Sequence, residues 1–120
     1  MALFNWLLYL DVSDDLMQHG SEAHFRSAVS RAYYGVFGNI RIVLEGQGVR
    51  LPKEDIHRFV GKWLSSRPVP PVVQIGLDLS RLRRERNRAD YDPTRQFSRL
   101  RAAKALLIAR QIESNIQSHL

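Results

Sequence analysis

Residues 21–46, SEAHFRSAVSRAYYGVFGNIRIVLEG, decide the fold class of this 120-residue chain. Phe25, Ala28, Val29, Ala32, Val36, Ile40 and Val43 recur every three or four positions with no proline between them, which is the period of an amphipathic helix and not of a strand. Ser21 belongs to the residue types that cap helix N-termini, and Gly46 and Gly48 mark a stop. A helix of about 25 residues spans about 37 Å. Tyr34 and Ile42 lie well off the main apolar stripe, so more than one side of this helix meets a neighbour. It is predicted to be the central helix of the molecule.

The same period extends outward in both directions, and no stretch alternates convincingly at period two. On the N-terminal side, Leu3, Trp6, Leu7, Leu10 and Met17 trace one face of a first helix that Gly20 ends. On the C-terminal side, Pro52 suits the first turn of a third helix, with Glu54 and Asp55 where the helix dipole favours negative charge. Ile56, Phe59, Val60, Trp63 and Leu64 would form its buried stripe. SSRPVPP (65–71) is the only linker-like stretch, and its length suits a turn between helices more than a domain boundary. A fourth helix begins at Val72 and must stop near Asp92, because the residue before a proline is pushed out of the α region. Thr94 is a reasonable cap for a fifth, running to about Ser118, in which Leu100, Ala103 and Leu107 form one stripe while Ala105, Ala109, Ile112 and Ile116 form another. The expectation is an all-α, up-and-down antiparallel bundle of four to five helices in one domain over residues 1–120.

Composition agrees with that class. Apolar residues make up 44% and charged residues 25%, enough to bury a core and too apolar for a disordered chain. With no cysteine there is no disulfide framework, thiol nucleophile or cysteine-bound zinc. No apolar run approaches a membrane span, and the start lacks a basic leader with a cleavage pattern, so a cytoplasmic location is expected.

Charge carries the first functional signal. Residues 1–60 hold six basic and seven acidic residues, whereas residues 61–120 hold twelve and five, a balance of +7. Eight arginines fall between Arg81 and Arg101, offset by Glu85, Asp90 and Asp92 alone. An anionic partner such as RNA, a nucleotide or an acidic protein fits this excess, and a solvated helix face is the plainer alternative. At 100° per residue, Val72, Ile75, Leu79, Leu82 and Ala89 form one stripe of the fourth helix, and Arg86 falls at its centre. A guanidinium left unpaired in a dry interior is very costly. It needs a carboxylate, a cleft open to water, or an anionic ligand, and Asp90, one turn later, is the obvious internal partner.

At these residues the chain resembles a known family. SAVSRAYYGVF (27–37), followed far downstream by LRRERNRADYD (82–92), is similar to the two characteristic segments of the HEPN domain, the higher eukaryotes and prokaryotes nucleotide-binding domain, and the order of helices matches over nearly the whole chain. The resemblance implies a small helical bundle, usually a homodimer, of the kind found in toxin–antitoxin pairs, antiviral defence and nucleotidyltransferase partnerships. Many members are metal-independent endoribonucleases with an Arg, a polar residue beside it, and a His four to six residues on. Arg86 and Asn87 take the first two positions here, but the place four residues beyond Asn87 is Tyr91. Cleavage needs a base for the ribose 2′-OH and a cation for the charged phosphorane. A phenol with an ordinary pKa of about 10 is about 0.1% ionised at pH 7, so this replacement bears directly on catalysis.

Other patterns in the sequence are weaker. Arg50 and His57 satisfy an R-x6-H spacing, but Pro52 intervenes and the pair lies outside the family-like segment. Glu54-x-x-His57 is half of a di-iron signature with no second copy, and His19, His24 and His119 stand at no ligand spacing, so no metal or cofactor is expected. Tyr33 lies near the buried stripe with a hydroxyl in need of a polar partner, while Tyr34 suits either a dimer interface or stacking on a base beside bound phosphate. Arg31 reads as a surface residue.

Three functions follow. In the favoured one, a non-catalytic module binds RNA or nucleotide phosphate through Arg83, Arg86 and Asn87, with Asp90, Tyr91 and Tyr34 shaping the cleft. In the second, a dimeric ribonuclease toxin uses Arg86 and Tyr91 as its catalytic candidates. In the third, the chain only holds an acidic, antitoxin or nucleotidyltransferase-like partner, and Arg86–Asp90 is an internal strut.

Overall fold

The structure, a computed structural model, describes residues 2–120 and contains five helices and no strand among them. They are α1 (Leu8–Met17), α2 (Glu22–Gly46), α3 (Ile56–Ser65), α4 (Pro70–Tyr91) and α5 (Arg99–His119). The all-helical class and the central role of residues 22–46 hold as expected: α2 packs against α1, α4 and α5. Side-chain contacts set the directions. Trp6 and Leu10 of the α1 segment meet Gly38 and Gly35 of α2, Arg26 of α2 meets the C-terminal end of α4, and Glu85 of α4 meets Arg101 of α5. Each of these pairs of segments is antiparallel, and α1 closes the ring against α5. Four helices thus run up, down, up, down. The α3 helix sits outside this ring, within the α2–α4 crossover, and packs on α4.

The core is the inner face of all four ring helices, with Leu10, Val29, Tyr33, Ile40, Leu44, Ile75, Leu79, Leu82 and Ile112 fully or almost fully buried. Close approach is achieved with glycine at two contacts. A Cβ on Gly38 would stand 2.4 Å from the Trp6 ring, and one on Gly76 would stand 2.6 Å from the Ser65 backbone nitrogen. Gly38 therefore lets Trp6 lie on α2, and Gly76 lets α3 lie on α4.

The termini of the elements differ from the sequence expectation in four places. The first helix begins at Leu8, because Asn5 accepts from Leu7 and turns the chain there, which leaves Leu3 mostly exposed at 71%. The third begins at Ile56 and not near Pro52: Asp55 adopts a left-handed conformation (φ 53°), which an aspartate tolerates better than most residues, and breaks the run. Glu54 and Asp55 thus precede the first turn. The fourth begins two residues early, with Pro70 at the first helical position, where a missing N–H costs nothing. The fifth is capped by Ser98, whose hydroxyl accepts from the Arg101 amide. Thr94 instead donates both its amide and its hydroxyl to Asp92 in a turn, and the extended segment that follows carries Phe97 into the core. The two expected stripes of α5 also divide: Ala105, Ala109, Ile112 and Ile116 are buried, whereas Leu100 and Leu107 face outward.

Candidate functional site

The geometry of the site follows from the way α2 holds the end of α4. The last carbonyls of a helix lack intrahelical partners. Arg26, on the first turn of α2, donates to Ala89 O at 2.9 Å, Asp92 O at 3.0 Å and Arg88 O at 3.3 Å, and also reaches Arg95 O. One guanidinium thereby satisfies the end of α4 and the turn after it. With that end pinned, the preceding turn of α4 lies across Ser30, Tyr33 and Tyr34.

Arg86 is the buried charge the sequence singles out. It is 6% exposed, at the centre of the inward stripe. Its guanidinium lies over the rings of Tyr33 at 5.2 Å and Tyr34 at 5.1 Å, a cation–π arrangement that offsets part of the desolvation. Asp90 is its ion-pair partner, as expected, but at 3.7 Å, outside good hydrogen-bond range, and the same Asp90 oxygen accepts from Ser30 Oγ at 3.2 Å. Arg86 Nε is buried with no hydrogen-bond partner, and so is Nε of Arg83, one turn earlier. Arg86 is therefore buried against one distant carboxylate that it shares with Ser30, beside a half-buried Arg83 whose Nε is also without a partner.

His57 completes the group, although its spacing in the sequence marks it as neither ligand nor catalyst. The first turn of α3 carries it to α2, where Nδ1 lies 2.6 Å from Tyr33 Oη and the imidazole stacks on Phe37 with centroids 4.1 Å apart. Burial foremost, then the charges of Arg86, Arg83 and Arg41, hold its pKa down at about 4. It is neutral at pH 7. Burial also holds the Tyr33 phenol well above its ordinary range, against the opposing pull of Arg83 and Arg86. The Tyr33 hydroxyl is thus a proton donor, and it is fully buried with His57 as its partner. Donation to Nδ1 satisfies that hydroxyl, whereas the reverse tautomer would leave its proton stranded. A neutral imidazole that accepts at Nδ1 carries its proton on Nε2. His57 consequently offers a donor on its free edge and has no unprotonated nitrogen left to act as a base.

The remaining predicted residues divide around this centre. Tyr34 is half-buried and joins it, edge-on to both Tyr33 and His57. Arg83 is half-buried, while Asn87 and Asp90 are exposed on the rim. Tyr91 is 75% exposed, about 140° around α4 from Arg86. It lines a different opening, an open cleft of about 450 Å³ with Glu22, Arg26, Ala89, Asp90 and Pro93. Arg31 lies over the Tyr9 ring at 5.0 Å, in keeping with a surface role.

A signal for His57 does exist in the sequence. It shares one face of α3 with the buried Val60, Gly61 and Leu64, so a polar residue stands where an apolar one would pack. Tyr33 in turn is a core tyrosine in need of a partner. What the sequence does not contain is the nine-residue connection geometry that brings α3 back over α2.

Chemically, the group is cationic, aromatic and donor-rich. Arg83 and Arg86 supply the positive charge, His57 Nε2 a donor and Tyr34 an aromatic edge. Among the described residues no three His, Asp or Glu side chains gather to hold a metal ion. Comparison with known families, with curated proteins and with solved structures finds no significant match to this chain.

Proposed function

We propose that this chain is a helical module that binds RNA or a nucleotide through phosphate, at Arg83 and Arg86 of α4, with His57 as an additional donor and Asn87 on the rim. The HEPN-like segments point to the same class and to the same settings: a toxin–antitoxin pair, a defence system, or service to a nucleotidyltransferase, with the chain as a homodimer. The observation that carries the proposal is the state of Arg86. Its guanidinium is 6% exposed, its Nε lacks a partner, and its one carboxylate stands at 3.7 Å. A buried charge so poorly paired costs several kcal/mol, on the order of what a bound oxyanion returns. Binding without cleavage is favoured over the ribonuclease alternative by His57, whose acceptor nitrogen is already taken by Tyr33.

The test is a titration of a fluorescein-labelled single-stranded RNA 20-mer, and of ATP, with metal-free protein at two salt concentrations. Wild type should bind both, more weakly at higher salt. Arg86→Met should weaken binding at least tenfold with the helical circular dichroism retained, and the half-buried Arg83→Met, which has less of the core to disturb, should weaken it several-fold. Unaltered affinity in a folded Arg83→Met together with an unfolded Arg86→Met would mean that Arg86 is a structural strut. RNA products ending in 2′,3′-cyclic phosphate would move the chain to the ribonuclease reading.

A further inference from the structure

The opposite side of α4 carries a second cationic feature. Arg84 and Arg88 project about 160° away from Arg86 around the helix, and with Arg81 they form a ridge over residues 81–88. This ridge and α5 enclose a cleft of about 400 Å³ whose cations are Arg81, Arg84, Arg88, Arg101 and Lys104 and whose floor includes Ala105 and Ile108. Glu85 is the only carboxylate lining it. That group is already engaged, accepting from Arg101 at 2.9 and 2.7 Å in a two-point contact. Arg88 also reaches Glu85, at 3.7 Å, so Arg81, Arg84 and Lys104 remain without a carboxylate partner inside the cleft.

Exposed leucines stand on the outer surface beside it. Leu100 and Leu107 of α5 are 65% and 68% exposed and flank Lys104 by helical spacing, and Leu77, 53% exposed, continues the arginine ridge one turn toward the N-terminus of α4. Exposed leucines beside a cationic row on two antiparallel helices suit the apolar and acidic faces of one further helix.

We infer that the α4–α5 face docks an acidic amphipathic helix of a partner protein, its apolar stripe on Leu100 and Leu107 and its carboxylates on Arg81, Arg84 and Arg88. The charge excludes the obvious self-partner, since a two-fold contact would set two copies of the same cationic cleft against each other. It also distinguishes the occupant from nucleic acid. Phosphates would satisfy the arginines but leave the leucines in water, and no aromatic ring lines the cleft for a base to stack on. The ridge from Leu77 to Arg88 is about 16 Å long, so a partner helix of three to four turns covers it.

The probe is a labelled 18-residue peptide with leucine at helical i, i+3, i+4 and i+7 positions and glutamate on the remaining faces, set beside a scrambled peptide of the same composition and a single-stranded RNA 20-mer. The amphipathic peptide should bind the full chain at least tenfold more tightly than the scramble. Leu100→Asp with Leu107→Asp, and separately Arg84→Glu with Arg88→Glu, should each weaken it at least tenfold. Both pairs are solvent-facing, so the fold should survive, as circular dichroism would show, and binding of ATP at the Arg86 site should be unchanged, which keeps a failure here distinct from a failure there. Equal binding of peptide and scramble, or indifference to the leucine substitutions, would overturn the proposal. Displacement of the peptide by RNA in the leucine-substituted protein would assign the cleft to nucleic acid instead.

Discussion

At the scale of single residues, the Tyr33–His57 pair explains why a histidine near an arginine need not be a catalyst. Its electrostatics make a specific claim about pH. The imidazole has a pKa of about 4 in the folded chain against an ordinary value of 6.5, so between these values the unfolded chain binds more protons than the folded one. Stability from this group is complete above about pH 6.5 and is lost as pH falls through about 4. His57 is only partly buried, so solvent screening reduces the expected loss to ~1–2 kcal/mol. Urea unfolding of wild type and His57→Gln across pH 7 to 4 should show that difference, since glutamine can still accept from Tyr33 but does not titrate. Parallel pH profiles would refute the assignment. In the wild type, nitrogen-15 spectra at pH 7 should place the imidazole proton on Nε2. Half of this site is legible in the sequence and half is not: Arg86 betrays itself as a charge inside an apolar stripe, and Asp90 as its partner one turn on. His57 is invisible as a partner of Tyr33, because their contact joins two helices that do not otherwise pack extensively.

At the scale of elements, interior periodicity is the part of the fold that sequence reports well, and ends are the part it reports badly. The stripe from Phe25 to Val43 is long enough that burial of one face overrides any local preference, and α2 falls where its pattern puts it. Helix starts are settled by one or two hydrogen bonds among near-equal candidates. Thr94 and Ser98 are both competent caps, and the choice goes to Ser98 because Phe97 must first reach the core. Arg26 is a similar case, since its four carbonyl contacts come from residues more than sixty positions away. Hydrogen bonds from a charged donor are worth about 1.5–3 kcal/mol, and several here share one side chain. Arg26→Met, which keeps an aliphatic stem but removes the guanidinium that also lies over the Phe97 ring at 4.9 Å, should therefore cost about 2–3 kcal/mol in chemical denaturation. Hydrogen exchange should quicken in the last turn of α4 and through residues 92–95 while the amides of α1 stay protected. Uniform loss of protection would show that Arg26 supports the whole bundle and not this terminus.

At the scale of the whole molecule, the charge asymmetry becomes a statement about two sides of one helix. The excess of +7 over residues 61–120 is not a diffuse basic surface. Part of it is enclosed at Arg86, buried, and Arg83, half-buried, facing α2 and α3, and part lines the open cleft toward α5. Both parts repel themselves, and both should welcome anions, but they differ in geometry. The inner pair joins a desolvated Arg86, set over Tyr33 and Tyr34, to a half-buried Arg83, which suits a compact multivalent anion; the outer row is spread over two helical turns and is hydrated. A ligand that binds only the folded state stabilises it in proportion to its occupancy, by about 2.7 kcal/mol at a hundredfold excess over its Kd. Millimolar pyrophosphate in a background of 150 mM sodium chloride should accordingly raise Tm by several degrees, where the same ionic strength of added chloride does not. Arg86→Met should lose that increment and Arg84→Glu should keep it. If Arg84→Glu abolishes the shift and Arg86→Met retains it, the anion is reading the outer row, and the inner pair is held by its aromatic neighbours for the stability of the bundle alone.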